Sequence, residues 1–153
     1  MGLYCTANAE VYANVGFENQ FGSSSEGTPS LTQVNYFINQ TENEINLALY
    51  NIGITTVSNA FLLGTLTKYN AIGAAGMVLR RYGNADDKNR GELFLQDYKD
   101  WLKMLIEDIT YQAMISKVQN TASMGILTGS AVTNGYVPVT SGAPIYGVDS
   151  FNS

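Results

Sequence analysis

Apolar positions recur along this chain at helical spacing, in blocks separated by glycine, proline and small polar residues. The clearest block opens after Thr28-Pro29-Ser30, a capping and proline-start signal. Leu31, Val34, Ile38, Ile45, Leu49 and Ile52 then recur at steps of three, four, seven, four and three. That spacing sets them on one helix face, with Thr41 filling the gap and Glu42 and Glu44 on the flank. Gly53 stands where a left-handed residue stops a helix. A shorter block, Thr6–Val15, predicts a helix with Thr6 as N-cap and Gly16 as stop. Between the two, Phe17–Gly27 predicts a polar, serine-rich interaction loop anchored by Phe17 and Phe21.

After a short link, Ile54–Val57, a third helix is predicted from a Ser58 or Asn59 cap to Tyr82, with Gly83 as its stop. It carries Gly64, Gly73, Ala74, Ala75 and Gly76. Each interior glycine costs about 1 kcal/mol relative to alanine. Close approach of another backbone at Gly64, Gly73 and Gly76 would offset that, so this helix is predicted to be the central, most buried one. Its Gly-Ala-Ala-Gly run lacks the Lys-Ser/Thr ending and the preceding strand of a phosphate loop. Phe61–Leu79 has the length of a membrane span, but it contains Thr65, Thr67, Lys68 and Asn70. An internal lysine costs roughly 2.5–3.5 kcal/mol in a bilayer, so a buried helix of a soluble domain is predicted instead. Asn84–Gly91 reads as a charged turn in which Asp86 and Asp87 cap the next helix, since no alternating calcium-ligand loop continues from them. That last helix is predicted from about Glu92 to Lys117. Its inward stripe is Leu95, Tyr98, Leu102, Leu105, Ile109 and Ala113, widened by Phe94, Trp101 and Ile106.

From Val118 the pattern changes. The last 36 residues hold one charge, Asp149, and the glycine, serine, threonine and proline punctuation of non-helical chain. Val132–Val139 carries a hairpin signal at Asn134-Gly135, with Pro138 confining its strand to an edge. Aliphatic and aromatic residues are nonetheless frequent there: Tyr136, Val137, Ile145, Tyr146, Val148 and Phe151 among them. Ordering the segment costs on the order of 50 kcal/mol. Offsetting that needs roughly 2,000 Å² of apolar burial, more than a small helical domain has to spare. The organisation expected is therefore an all-α bundle of about four helices over residues 1–117 and a C-terminal extension, 118–153, that lies on a neighbouring protein.

Composition sharpens this picture. The chain is 45% hydrophobic but only 14% charged, against roughly 25% in ordinary soluble domains. Amide, hydroxyl and phenol groups fill the difference, which suits permanent protein contacts. A net charge of −5 argues against gripping nucleic acid through its phosphates, and it suits a wall past which DNA slides. Met1–Thr6 shows neither a basic flank nor an apolar run, so no signal peptide is predicted. There is one cysteine, Cys5, and no histidine. Histidine is the commonest general base and metal ligand. Carboxylate neighbours such as Glu42 with Glu44, or Glu107 with Asp108, read as solvated helix faces. Catalytic residues, metal ligands and a cofactor site are not expected.

The order of parts resembles the head–tail connector (adaptor) proteins of tailed bacteriophages. The residues that carry the resemblance are Tyr4-Cys5-Thr6 with Glu10-Val11 and Gly16-Phe17, then Leu31, Ile38, Glu42, Ile45 and Leu49. The small-residue helix Leu66–Arg81, the charged turn and Glu92–Ile109 complete it, over residues 1–117. The resemblance rests on an arrangement of helices, and the 118–153 extension is longer than the family's minimal pattern. It implies a non-enzymatic virion subunit, made in the host cytoplasm and placed in the neck. Copies would assemble head to tail into a ring, twelvefold to match the portal protein, and extend the DNA channel. DNA would pass without sequence-specific binding, and a downstream stopper or tail protein would come next in the neck. The stretch implied to reach the portal or a neighbouring subunit is Tyr136–Phe151, anchored by Tyr136, Ile145, Tyr146 and Phe151 and including Val137 and Val148. Two alternatives stay open: a head-completion, stopper or tail component, and a soluble helical binding domain that uses the small-residue helix as a groove wall.

Overall fold

The computed structural model describes residues 2–16 and 29–121, and the regular elements of the described residues are all helices. The first, α1, is a π-helical turn over Ala7–Val11 that continues as α-helix over Tyr12–Val15. Thr6 is its N-cap, but the Thr6 hydroxyl caps nothing. Instead the Glu10 carboxylate accepts the Thr6 backbone N–H at 2.7 Å and the hydroxyl at 3.0 Å. The cap is reversed, with the carboxylate one turn inside satisfying the free donor. Those bonds, the backbone one foremost, hold the Glu10 carboxyl below its usual range. Gly16 ends α1 in the left-handed region, at φ 71°.

Helix α2 is Leu31–Asn51. Ser30 and Gln33 form a capping box, so Pro29 stands just before the cap and outside the first turn. Gly53 adopts φ 82°, and the inward stripe is as the spacing predicts: Val34, Ile38, Thr41, Ile45 and Leu49 are buried. Phe37 and Ala48 join them. Helix α3 is Ala60–Tyr82, capped by Asn59, whose Oδ1 accepts the N–H groups of Phe61 at 2.8 Å and Leu62 at 3.0 Å. Gly83 succeeds it in extended rather than left-handed conformation, because the next residue already opens another helix.

That helix, α4, is Ala85–Glu107. The charged stretch expected to be a turn forms its first two turns. Asn84 Oδ1 accepts from Asp86 and Asp87, and the Asp87 carboxylate accepts from the Asn84 N–H in return. Nor does one helix run on to Lys117. Asp108 leaves helical geometry at φ −89°, ψ 103°, and its Oδ1 caps a fifth helix, α5, by accepting from Thr110 and Tyr111. The helical phase restarts there. Ile109 and Ala113, expected to face inward, are exposed, and Tyr111, Ile115 and Val118 supply the inward side. Helix α5 covers residues 109–121, so helical structure continues past the predicted limit.

The core has two apolar clusters. One joins α1, α2 and the second half of α3 through Val11, Val15, Ile38, Ala74 and Val78. The other joins Ile45, Leu62, Leu66, Trp101, Leu105 and Ile115. On α2 the boundary between them falls at Thr41; on α3 it falls about Asn70, with Ala71 in the first cluster and Ile72 in the second, and both polar residues are fully buried.

Candidate interaction surfaces

Four segments meet at the Thr41–Asn70 node. Asn70 Oδ1 accepts from the Cys5 thiol, and its Nδ2 donates to Ile38 O and Thr41 Oγ1, both at 3.3 Å. Thr41 Oγ1 donates back along its own helix to Phe37 O and Ile38 O at 3.1 Å. Tyr98 of α4 reaches the Thr41 carbonyl at 3.2 Å and the Glu44 carboxylate at 2.9 Å. Among the described residues no buried side-chain polar atom lacks a partner. Such a satisfied network fixes how the N-terminal segment, α2, α3 and α4 register on one another. Burial, with Glu10 and Glu42 nearby, pushes the Cys5 thiol up to about 12, so it stays protonated at neutral pH and is a packing group. Burial, and then the bond to Glu44, likewise raises Tyr98.

The small residues of α3 divide into two sets. A Cβ on Gly73 would lie 2.8 Å from the Thr41 methyl and 3.0 Å from the Tyr98 ring. One on Gly76 would lie 2.8 Å from Leu95 Cγ and 3.0 Å from Gly91 O. Both glycines are close-packing positions, as expected. Gly64 is not: among the described residues nothing lies within 4 Å of its would-be Cβ, because it stands on the exposed side of α3 while Leu62 and Leu66 of the same half take the side packed with Trp101 and Leu105. The partner in the crossing is Gly91, read from sequence as part of a turn. A Cβ there would meet Arg80 N at 2.9 Å and Gly76 O at 3.0 Å. Nearer the start of α3, Tyr69 stacks on Trp101 with ring centres 4.3 Å apart, and Trp101 Nε1 donates to Tyr111 at 2.8 Å.

The outer surface carries many large apolar side chains. Tyr36, Leu47 and Tyr50 are exposed on α2, Phe61 and Leu63 on α3, Leu93, Met104 and Ile106 on α4, and Ile109 and Met114 on α5. Two grooves stand out. One, about 440 Å³, has Phe37, Met77 and Leu95 in its lining and carries Arg80, Arg81 and Lys99 together with Glu44. Arg80 also pairs with Glu92 at 3.0 Å. The other, about 580 Å³, is lined by Leu3, Tyr4, Leu49, Tyr50, Ile54 and Leu63 with the Thr55–Val57 link, and none of its described lining residues is charged.

Phe17, Phe21, Tyr136, Val137, Ile145, Tyr146, Val148 and Phe151, together with the 132–139 hairpin signal, lie outside the described residues. Among the described residues no acidic or cysteine group gathers as a metal site, and no helix is long and apolar enough to cross a membrane. No family model, curated protein or solved structure matches the chain. The described residues form a small all-α bundle with large apolar side chains exposed on α2 to α5.

Proposed function

We propose that the protein is a structural subunit of a virion neck, a head–tail adaptor whose copies form a ring under the portal and extend the DNA channel. The observation that carries this reading is the set of large apolar side chains exposed on the described helices. Phe61 is 78% exposed and Ile109 79%, and large apolar side chains stand outward on each of α2 to α5. Where such side chains adjoin in a contiguous patch they mark an interaction surface. The groove rimmed by Arg80, Arg81 and Lys99 adds a reason for contact between copies. It is a locally basic face on a chain of net charge −5, so a second acidic copy complements it. Contacts between unlike faces propagate head to tail and close as a ring when the rotation divides a full turn.

The binding-domain alternative is weakened, because the small-residue face that would wall its groove is filled by α4 at Gly73 and Gly76. In the adaptor reading the Tyr136–Phe151 stretch engages the portal, and no step of the role requires catalysis. Native mass spectrometry and electron microscopy of the purified full chain, alone and with its cognate portal, test the proposal. A closed ring in either sample is the expected result. A chain that stays monomeric at high concentration and ignores the portal sinks it.

A further inference from the structure

We infer that the uncharged groove between Leu3, Tyr50, Ile54 and Leu63 is the docking site for the chain's own Met124–Thr128 segment. The groove is open: Leu3 is 70% exposed, Tyr50 67% and Leu63 40%. One wall is the Ile54–Val57 link, and the far side of that wall is where the described chain leaves the bundle. Gln119 Nε2 donates to Thr56 O and Ser58 Oγ, both at 3.0 Å, and Asn59 Nδ2 donates to Val118 O at 2.9 Å. These bonds pin the end of α5 to the link itself.

Reach then selects the occupant. Extended chain spans about 3.3 Å per residue, so Met124, Ile126 and Leu127 come within roughly 15–25 Å of Gln119. Thr56, which accepts from Gln119, itself lines the groove, so the segment starts beside the groove wall. Its composition fits: Met124-Gly125-Ile126-Leu127-Thr128 is the first apolar run after α5 and carries no charge, like the groove. Attachment a few residues away gives it an effective concentration that no free partner matches. The more distant Tyr136–Phe151 stretch is left free for another protein, so this inference stands independently of the adaptor reading.

Disulfide trapping in the full chain tests it. Tyr50 is exposed, so Tyr50→Cys is compatible with folding, and it is combined with Leu127→Cys. The buried Cys5 does not compete. A second double variant, Lys99→Cys with Leu127→Cys, places the first cysteine on the other groove. The expected result is a disulfide within one chain, formed roughly tenfold faster in the Tyr50 pair than in the Lys99 pair. Ile126→Asp added to the Tyr50 pair should remove most of that advantage. Equal rates in the two pairs overturn the inference, and so does a product that links two chains. Neither result bears on ring formation, which mass reports separately.

Discussion

In the first half of α3, Phe61 and Gly64 face open space; in the second half, Gly73 and Gly76 lie under α4. Both halves mix glycine, alanine and aliphatic residues, and both belong to one helix. The difference lies in the face each residue occupies: Leu62 and Leu66 of the first half are buried with Trp101 and Leu105 of α4, whereas Phe61 and Gly64 stand on the exposed side. Gly91 on α4 lets the two backbones close to a would-be Cβ distance of 3.0 Å from Gly76 O, and Leu95 and Tyr98, one and two turns on, fill the remaining space. Opposite Phe61 and Gly64 no described residue plays that part. A helical glycine therefore marks a close contact only when a second element lies over it, as Gly91 and Leu95 do at Gly76 and Thr41 and the Tyr98 ring do at Gly73.

The largest effect should come from blocking that crossing. Gly91→Val puts a branched side chain against Arg80 N, Gly76 O and Leu79 Cβ, and backbone atoms cannot rotate away. Overpacking of this kind costs about 3 kcal/mol. Urea unfolding should show that loss with little change in slope. A near-neutral result would mean that α3 and α4 separate freely, and the contrast between the halves would fail. Next in size is Asn70→Leu, at the joint between the two halves. It strips the Cys5 thiol of its acceptor and Thr41 Oγ1 of a donor. About 2 kcal/mol should be lost. Thr65→Val in the open half removes only a hydroxyl bonded to its own helix at Phe61 O, and should change stability by less than about 0.5 kcal/mol.

The ends of α2 and α3 can be read from the sequence because Ser30, Asn59 and Gly53 act through local bonds or local backbone geometry. The break at Asp108 cannot. Leu105, Ile109 and Ala113 keep helical spacing straight through it, so periodicity sees one helix where the chain makes two. A mid-pattern aspartate able to cap was the available signal. The Asn84–Arg90 charges hide a helix start for a similar reason: composition suggests a turn, whereas the Asn84–Asp87 capping box decides otherwise. Of the positions singled out for contact, Gly73 and Gly76 can be inferred from the cost of helical glycine. Gly64 shows that cost alone is insufficient, and the importance of Gly91 depends on a crossing that no local pattern reveals.

The buried node also gives the comparison a pH signature. The folded protein holds the Cys5 thiol at about 12 against an ordinary 9.0. Its folded state therefore keeps a proton that the unfolded chain releases. The stability is fully present below about pH 9 and is lost as pH rises from there through about 12, at up to about 1.4 kcal/mol per pH unit. Cys5→Ser keeps a donor toward Asn70 without the titration. Unfolding free energies measured from about pH 8 to about pH 11 should fall less steeply in the variant, by about one proton. Tyr98 and Tyr4, also raised by burial, keep some alkaline slope in both proteins. Identical slopes would place Cys5 in contact with water.

The last comparison is the one whose sign separates the outward glycine of α3 from the packed ones. Gly64→Ala adds a methyl group where no described residue lies within 4 Å, so only the backbone preference remains, worth about 1 kcal/mol in favour of alanine. The free protein should become more stable by that amount, with Tm rising by several degrees. The same substitution at Gly76 must displace Leu95 or move α4 away from Gly91 O, so it should destabilise despite an equal helix preference. If Gly64→Ala destabilised the free chain as well, something outside the described helices would have to sit on that face. Gly64 would then be a packing position like Gly73 and Gly76, and the outward face of α3 would be closed as its α4 side is.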